Sequence, residues 1–293
     1  MATIYRGMTR DGSARALFIE ATDIVERARQ IHNTYPTATA ALGRTLIAAS
    51  LIGSLMAEKE DLLTIRFKGD GLGGAIVASS DYMGNVRGFI EHPDADPPLR
   101  SDGKLNVGAC VGRGELYVLR DVGGKEPYVG ISEIRSGEIA EDIAGYFTES
   151  EQIPTLCALG VLIDRDRTVK CAGGVLIQLL PFADEETADR IEVNASKLPG
   201  ITALMQENTA EQVLDLFLEG IEYDMFDDFD CGYKCVCSRE KTDKALISLG
   251  AAELTKMIET DGKAELTCSF CDNVYKYSKS DLKSLLTEAS ENG

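Results

Sequence analysis

Five of the eight cysteines in this 293-residue chain stand close together near its end. They occur as Cys231-Gly-Tyr-Lys-Cys235-Val-Cys237-Ser-Arg-Glu and, after residues 238–267, as Cys268-Ser-Phe-Cys271. A Cys-x-Cys and a Cys-x-x-Cys separated by a stretch long enough to fold supply four thiolates, the ligand number and type that tetrahedral zinc requires. Cys235, Cys237, Cys268 and Cys271 are therefore read as a tetrathiolate Zn2+ site, with Cys231 as a possible extra thiol. Cys-x-Cys is tighter than the usual knuckle, which hints at more than a structural staple. An inert zinc ribbon is the plainer alternative. A disulfide framework is disfavoured by the absence of a secretory signal pattern at Met1–Arg6, and a thioredoxin-like motif because Cys268 precedes a polar hairpin rather than opening a helix.

Zinc-bound thiolates are ligands and nucleophiles at once. An oxidant such as peroxide takes a thiolate to sulfenic acid, which condenses with a neighbouring thiol to a disulfide and ends its service as a ligand. Each cysteine pair has such a neighbour in reach. Lys234, Arg239 and Lys276 are placed to offset the negative charge of four thiolates. The surrounding module is small: helices over 243–249 and 252–258 split by Gly250, a hairpin of 264–267 and 274–277 turning at the second cysteine pair, and a final helix N-capped by Ser280 and running to Glu288. So few large apolar residues build little core, so the metal must supply much of its stability.

The acidic segment before the cysteines is the next element that must position them. Between Phe182 and Asp230 there are fourteen acidic residues against Arg190 and Lys197, twelve of the chain's eighteen net negative charges. Apolar residues keep helical spacing there, as in Val213, Leu214, Phe217, Leu218 and Ile221. Like-charged amphipathic helices hold only when their apolar faces dock, so this linker is read as helical and metastable.

Residues 1–180 read as a mixed α/β core. The expected order is a strand over 14–20, a helix over 23–29 capped near Thr22, a long buried helix over 37–58, and strands 62–68, 75–79 and 86–90. A loop over 91–108 follows, then strands 116–120 and 128–131 around a Gly123-Gly124 turn, a helix over 136–147 with Ile139, Ile143 and Phe147 on one face, and strands 155–164 and 168–180. The whole is an α+β protein in three parts: 1–180 core, 181–230 acidic helical linker, 231–293 zinc-binding domain. Gly69-Asp-Gly71-Leu-Gly-Gly74 matches a dinucleotide fingerprint, but a strand follows it where that function needs a helix. Cys110, Cys157 and Cys171 sit in apolar settings and are assigned to the core. His32 and His92 have only ordinary polar neighbours in sequence. A net charge of −18 argues against nucleic-acid partners, and the longest apolar stretch, 45–57, is too short to span a membrane. A cytoplasmic location is expected.

The chain resembles, over its whole length, the 33 kDa heat-shock protein family of redox-regulated chaperones. The resemblance rests on Cys235-Val-Cys237-Ser-Arg-Glu with Cys268-Ser-Phe-Cys271, supported by Pro36-Thr-Ala-Thr-Ala-Ala-Leu-Gly-Arg44, the Gly69–Ile76 turn and Ala172-Gly-Gly-Val-Leu-Ile-Gln-Leu-Leu-Pro181. It implies a non-enzymatic, ATP-independent holdase, inactive when reduced and zinc-bound. It further implies that oxidation forms disulfides Cys235–Cys237 and Cys268–Cys271, unfolds the linker, and yields homodimers that bind unfolded client proteins. Cys231 departs from that pattern and leaves the pairing open. A thiol-disulfide oxidoreductase working through Cys268 and Cys271, and a constitutive zinc-ribbon interaction protein, are the alternatives.

Overall fold

The run of small and aliphatic residues after Tyr35 becomes α2 (Pro36–Gly53), in which every residue except Pro36 and Arg44 is buried. Pro36 occupies the first turn, where its missing N–H costs nothing. The helix stops five residues short of the expected Glu58, because Gly53 is pressed against Ser80 and the charges of Glu58, Lys59 and Glu60 belong in water. The computed structural model describes residues 1–123, 126–181 and 183–291, and the chain divides into two units, Met1–Lys234 and Cys235–Gly293. Gly124 of the expected turn and Phe182 at the head of the acidic segment lie outside the described residues.

In the first unit, α2 packs against strands of two antiparallel sheets. One contains β1 (Ala2–Thr9), β2 (Ala14–Glu20), β8 (Thr155–Ile163) and β9 (Val169–Leu179), in the order β1-β2-β9-β8. The other has the order β5-β4-β3-β6-β7, formed by β3 (Leu62–Gly69), β4 (Ala75–Asp81), β5 (Val86–Ile90), β6 (Gly114–Asp121) and β7 (Tyr128–Ile134). Helix α1 (Thr22–His32) begins at Thr22 itself, whose hydroxyl accepts from the Ala172 N–H at 3.1 Å instead of capping the helix. The loop after β5 ends in a short α3 (Val107–Val111). Helix α4 (Ala140–Ser150) starts later than expected, with Ile139 at its N-cap in the left-handed half of backbone space (φ 59°), and Ile139, Ile143 and Phe147 form the buried stripe.

The acidic segment docks on this core. Asp184 caps α5 (Glu185–Lys197), α6 (Ile201–Glu207) follows, and a reciprocal Thr209/Gln212 capping box opens α7 (Ala210–Phe217). Ile191, Ile201, Leu204, Val213, Leu214 and Phe217 form a second core with Phe18, Val175 and Ile177 of the sheet. Helix α6 lies in a trough where Gly160 faces Gly173 across the β8–β9 ladder: a methyl on Gly160 would stand 2.5 Å from Ile201, and one on Gly173 2.5 Å from Met205. The segment is not helical to its end. Two three-residue strands, β10 (Tyr223–Met225) and β11 (Phe229–Cys231), pair antiparallel with β1. Arg10, 3.0 Å from Asp224 and 3.2 Å from Glu222, gives this acidic stretch a local cation. The unit boundary therefore falls after Lys234, beyond the expected 230/231, because the strand pairing of residues 229–231 carries the first unit past that point.

The second unit contains α8 (Arg239–Ile247), capped by Ser238, α9 (Ala251–Thr260), the hairpin β12 (Lys263–Thr267) and β13 (Val274–Ser278), and α10 (Lys279–Glu291). Gly250 joins α8 to α9 at φ 86°, a conformation that favours glycine. Ser278, not Ser280, caps α10: its hydroxyl accepts from the Asp281 N–H while the Asp281 carboxylate accepts from the Ser278 N–H at 2.8 Å. Among the described residues six buried ones make its core: Leu246, Leu254, Ile258, Tyr277, Leu282 and Leu285.

Candidate metal centre

Cys235 and Cys237 lie just ahead of α8, and Cys268 and Cys271 form the turn between β12 and β13. That turn is tight. Cys268 donates to the Asn273 carbonyl at 2.9 Å, Cys271 and Asp272 both donate back to the Cys268 carbonyl, and Asp272 takes a left-handed φ of 57°. The turn thus holds both of its sulfurs on one side of the hairpin end.

All four sulfurs lie within 4.8 Å of one another, with Cys235 to Cys268 at 3.7 Å and Cys237 to Cys271 at 3.5 Å. Four thiolates about 2.3 Å from one ion at tetrahedral angles stand about 3.8 Å apart, so the donor set and its spacing fit a metal of zinc's size and softness. Among the described residues this is the one group of three or more potential ligands drawn together.

The electrostatics favour a first thiolate at Cys237. Burial alone would raise its pKa, but the Tyr275 hydroxyl, donating at 3.1 Å, and the neighbouring thiols bring it down to about 7. Burial, followed by proton sharing with the other sulfurs, pushes Cys235 and Cys271 the opposite way. Arg239, expected to balance the cluster's charge, is engaged elsewhere: it stacks 4.2 Å over the Tyr277 ring, donates to the Lys276 carbonyl at 2.8 Å and reaches Asp281 at 3.4 Å. Lys276 pairs with Glu265 at 3.6 Å. The direct partner of a sulfur is Tyr275, which the sequence reading missed; its signal was the alternation of Tyr275 and Tyr277 along the strand after the second cysteine pair.

Cys231 belongs to the first unit and to that unit's main core, 2% exposed on β11, with its sulfur 3.8 Å from the Ser50 hydroxyl. Strand pairing with β1 puts it there. Burial pushes its thiol up to about 11, as it does Cys110 to about 11 and Cys157 to about 12, and it raises Cys171 as well. These four thiols are poor nucleophiles in the folded chain. His92 sits in a turn, its N–H on the Gly73 carbonyl, and His32 lies against the Gly88 carbonyl at 2.9 Å. The Gly69–Gly74 turn leads into β4, and its glycines serve close approach to α3: a methyl on Gly71 would stand 2.5 Å from the Cys110 carbonyl oxygen. No described helix is long and apolar enough to cross a membrane.

A two-sheet core carrying docked acidic helices, followed in sequence by a small unit with four converging thiols, defines an α+β protein with an appended candidate metal centre. The chain belongs to the Hsp33 protein family, whose model matches residues 2–278. It is 43% identical over 289 residues to the 33 kDa chaperonin of Desulforamulus reducens, covering 98% of each chain, and 42% identical to that of Clostridioides difficile strain 630, covering 97% of this chain and 98% of the relative. The crystal structure of the 33 kDa chaperonin from Thermotoga maritima superposes with a TM-score of 0.90 at 38% identity, covering 99% of both chains.

Proposed function

We propose that this chaperone is an ATP-independent holdase switched on by oxidation of Cys235, Cys237, Cys268 and Cys271. The observation that carries the reading is the convergence of these thiols from the first residues of the unit and from its β12–β13 turn, in a unit with six buried core residues among those described. Bound Zn2+ would hold the four sulfurs as thiolates and tie the first residues of the unit to its β12–β13 turn. Peroxide attacked by a thiolate gives a sulfenic acid and hydroxide, and condensation with a second thiol gives a disulfide and water, so each disulfide consumes one peroxide.

Which sulfurs pair decides the outcome. Pairing across the unit, as Cys235 with Cys268 and Cys237 with Cys271, would staple its first residues to the β12–β13 turn and keep it folded. Pairing within Cys235–Cys237 and within Cys268–Cys271, the pattern of the resembled family, leaves these two segments untied. A unit with so small a core then unfolds, and the acidic helices, repelled by their own charge, come off the core. The apolar surface they cover becomes available to unfolded polypeptides and to a second copy of the chain. The division is then functional: a client-binding core up to about residue 180, a removable acidic cover after it, and a sensor from Cys235 onward. A reducing, cytoplasmic setting suits a sensor that must rest with free thiols.

The test is suppression of aggregation of a chemically unfolded protein, followed together with zinc release to a chromogenic chelator, before and after peroxide at elevated temperature. Holdase activity and released zinc rising together, both reversed by a thiol reductant, is the expected result. Zinc release without any gain in client binding would overturn the switch.

A further inference from the structure

The residues that lead into the first cysteine pair are seated as an extra strand on the edge of the second sheet. Strand β5 is the last in its sheet, and beyond it Tyr233 makes a parallel bridge with Val86. The Val86 N–H donates to the Gly232 carbonyl and the Lys234 N–H to the Val86 carbonyl, both at 2.9 Å. Two residues along the same edge, the Tyr233 hydroxyl reaches Gly88, donating to its carbonyl at 2.8 Å and accepting from its N–H at 3.3 Å. His32 closes the slot with Nε2 2.9 Å from the Gly88 carbonyl and 3.4 Å from the Tyr233 hydroxyl; because a carbonyl only accepts, the His32 proton sits on Nε2. Alongside is a cleft of about 320 Å3 lined by Ile24, Arg27, Asp230 and Cys231 as well as Tyr233.

We infer that this edge is a peptide-binding slot whose resident ligand is the chain's own Gly232-Tyr233-Lys234, and that when this segment is withdrawn the slot takes a tyrosine-bearing extended segment of an unfolded protein. The occupant's chemistry is read from the one in place. Two main-chain bonds at Val86 accept any extended backbone, and the paired donor and acceptor of Gly88 select a phenol, which alone among aromatic side chains both gives and takes a hydrogen bond through one oxygen. An extended, unstructured chain offers both free backbone groups and a tyrosine side chain to that edge. The inference rests on the holdase reading for the withdrawal step, but the slot itself can be tested without it.

The experiment uses the full-length, zinc-loaded, reduced chain carrying Tyr233→Ala, which removes both hydroxyl bonds to Gly88, leaves Gly232–Lys234 held only by the two Val86 bonds, and so lets a peptide displace it whatever the redox state. The probe is a fluorescein-labelled peptide, Phe-Asp-Ser-Gly-Tyr-Lys-Ser-Val-Ser, followed by anisotropy, with versions in which its tyrosine is phenylalanine or alanine. The variant should bind the tyrosine peptide, the phenylalanine peptide roughly 3- to 10-fold more weakly for loss of the hydrogen bonds, and the alanine peptide more weakly still. The unaltered reduced chain should bind none, and after peroxide it should show the same ranking. Equal binding of the three peptides, or no binding by either the variant or the oxidised parent, overturns the slot. Using both proteins keeps the test valid if the variant folds poorly. Peptide binding that vanishes as dimer forms would mean that a second copy's strap fills the edge, which also overturns it. Holdase gain on oxidation without peptide binding refutes the slot and leaves the switch standing; peptide binding by the variant without holdase gain does the reverse.

Discussion

Replacing Leu254 by alanine should weaken metal binding although its helix, α9, carries no cysteine. Leu254 is fully buried in a core of six residues, so the substitution removes most of one side chain from a cluster with few neighbours to refill the space. A leucine-to-alanine change in such a place costs about 3 kcal/mol. A unit of about sixty residues has only a few kcal/mol of its own, so without metal it is unfolded or nearly so. Binding then includes folding, and the whole core penalty appears in the apparent affinity, which should fall roughly 100-fold. Competition against a chromogenic zinc chelator under reducing conditions reads this directly. Glu253→Ala, at an exposed position on the same helix, is the control and should shift the affinity less than about 2-fold. An unchanged affinity for Leu254→Ala, with the variant shown to be less stable, would refute the reasoning, because it would mean the metal-free unit is already folded.

Two further substitutions test the first unit. The Glu26 carboxylate is held down to about 2, chiefly by Arg29, with the Val169 N–H and Gln30 adding hydrogen bonds against a burial penalty. A folded-state value below the unfolded one means stability that is present above about pH 4.5 and lost as the pH falls toward 2. Glu26→Gln should therefore cost about 1–2 kcal/mol in urea unfolding at pH 7, the full shift being discounted for the water that still reaches the pair, and the gap to the parent should shrink by more than half at pH 3. Gly43→Ala on α2 should lower the melting temperature although alanine is the better helix former by about 1 kcal/mol, because the new methyl would stand 2.6 Å from Val25 and 2.9 Å from Val161.

The convergence of the four thiols was legible because cysteines at these spacings answer one coordination chemistry, and most strands of the two sheets because their apolar runs end at glycine and polar turns. What escaped the sequence was non-local. Nothing in Tyr223–Met225 or Phe229–Cys231, three residues each and rich in aspartate nearby, announces a strand; the edge of β1 makes them strands. Strand β1 itself escaped because Arg6 and Gly7 interrupt its apolar pattern while β2 and β10 pair along both its sides. The last helix is capped by Ser278 rather than the expected Ser280, because the reciprocal bonds between Ser278 and Asp281 form only once β13 has brought Ser278 to the helix start. Tyr275 reaches Cys237 across a separation of 38 residues, which no local pattern records.

The glycine trough under α6 has a thermal consequence. Helix and strands meet there through the methyls of Ile201 and Thr202 and the thioether of Met205, with the Cys171 thiol 4.0 Å from the Thr202 carbonyl as a weak polar touch. Contact of this kind carries a large heat-capacity change, so its free energy follows a dome rather than a line. The cover over this part of the sheet is held most firmly at an intermediate temperature and loosens on cooling as well as on heating.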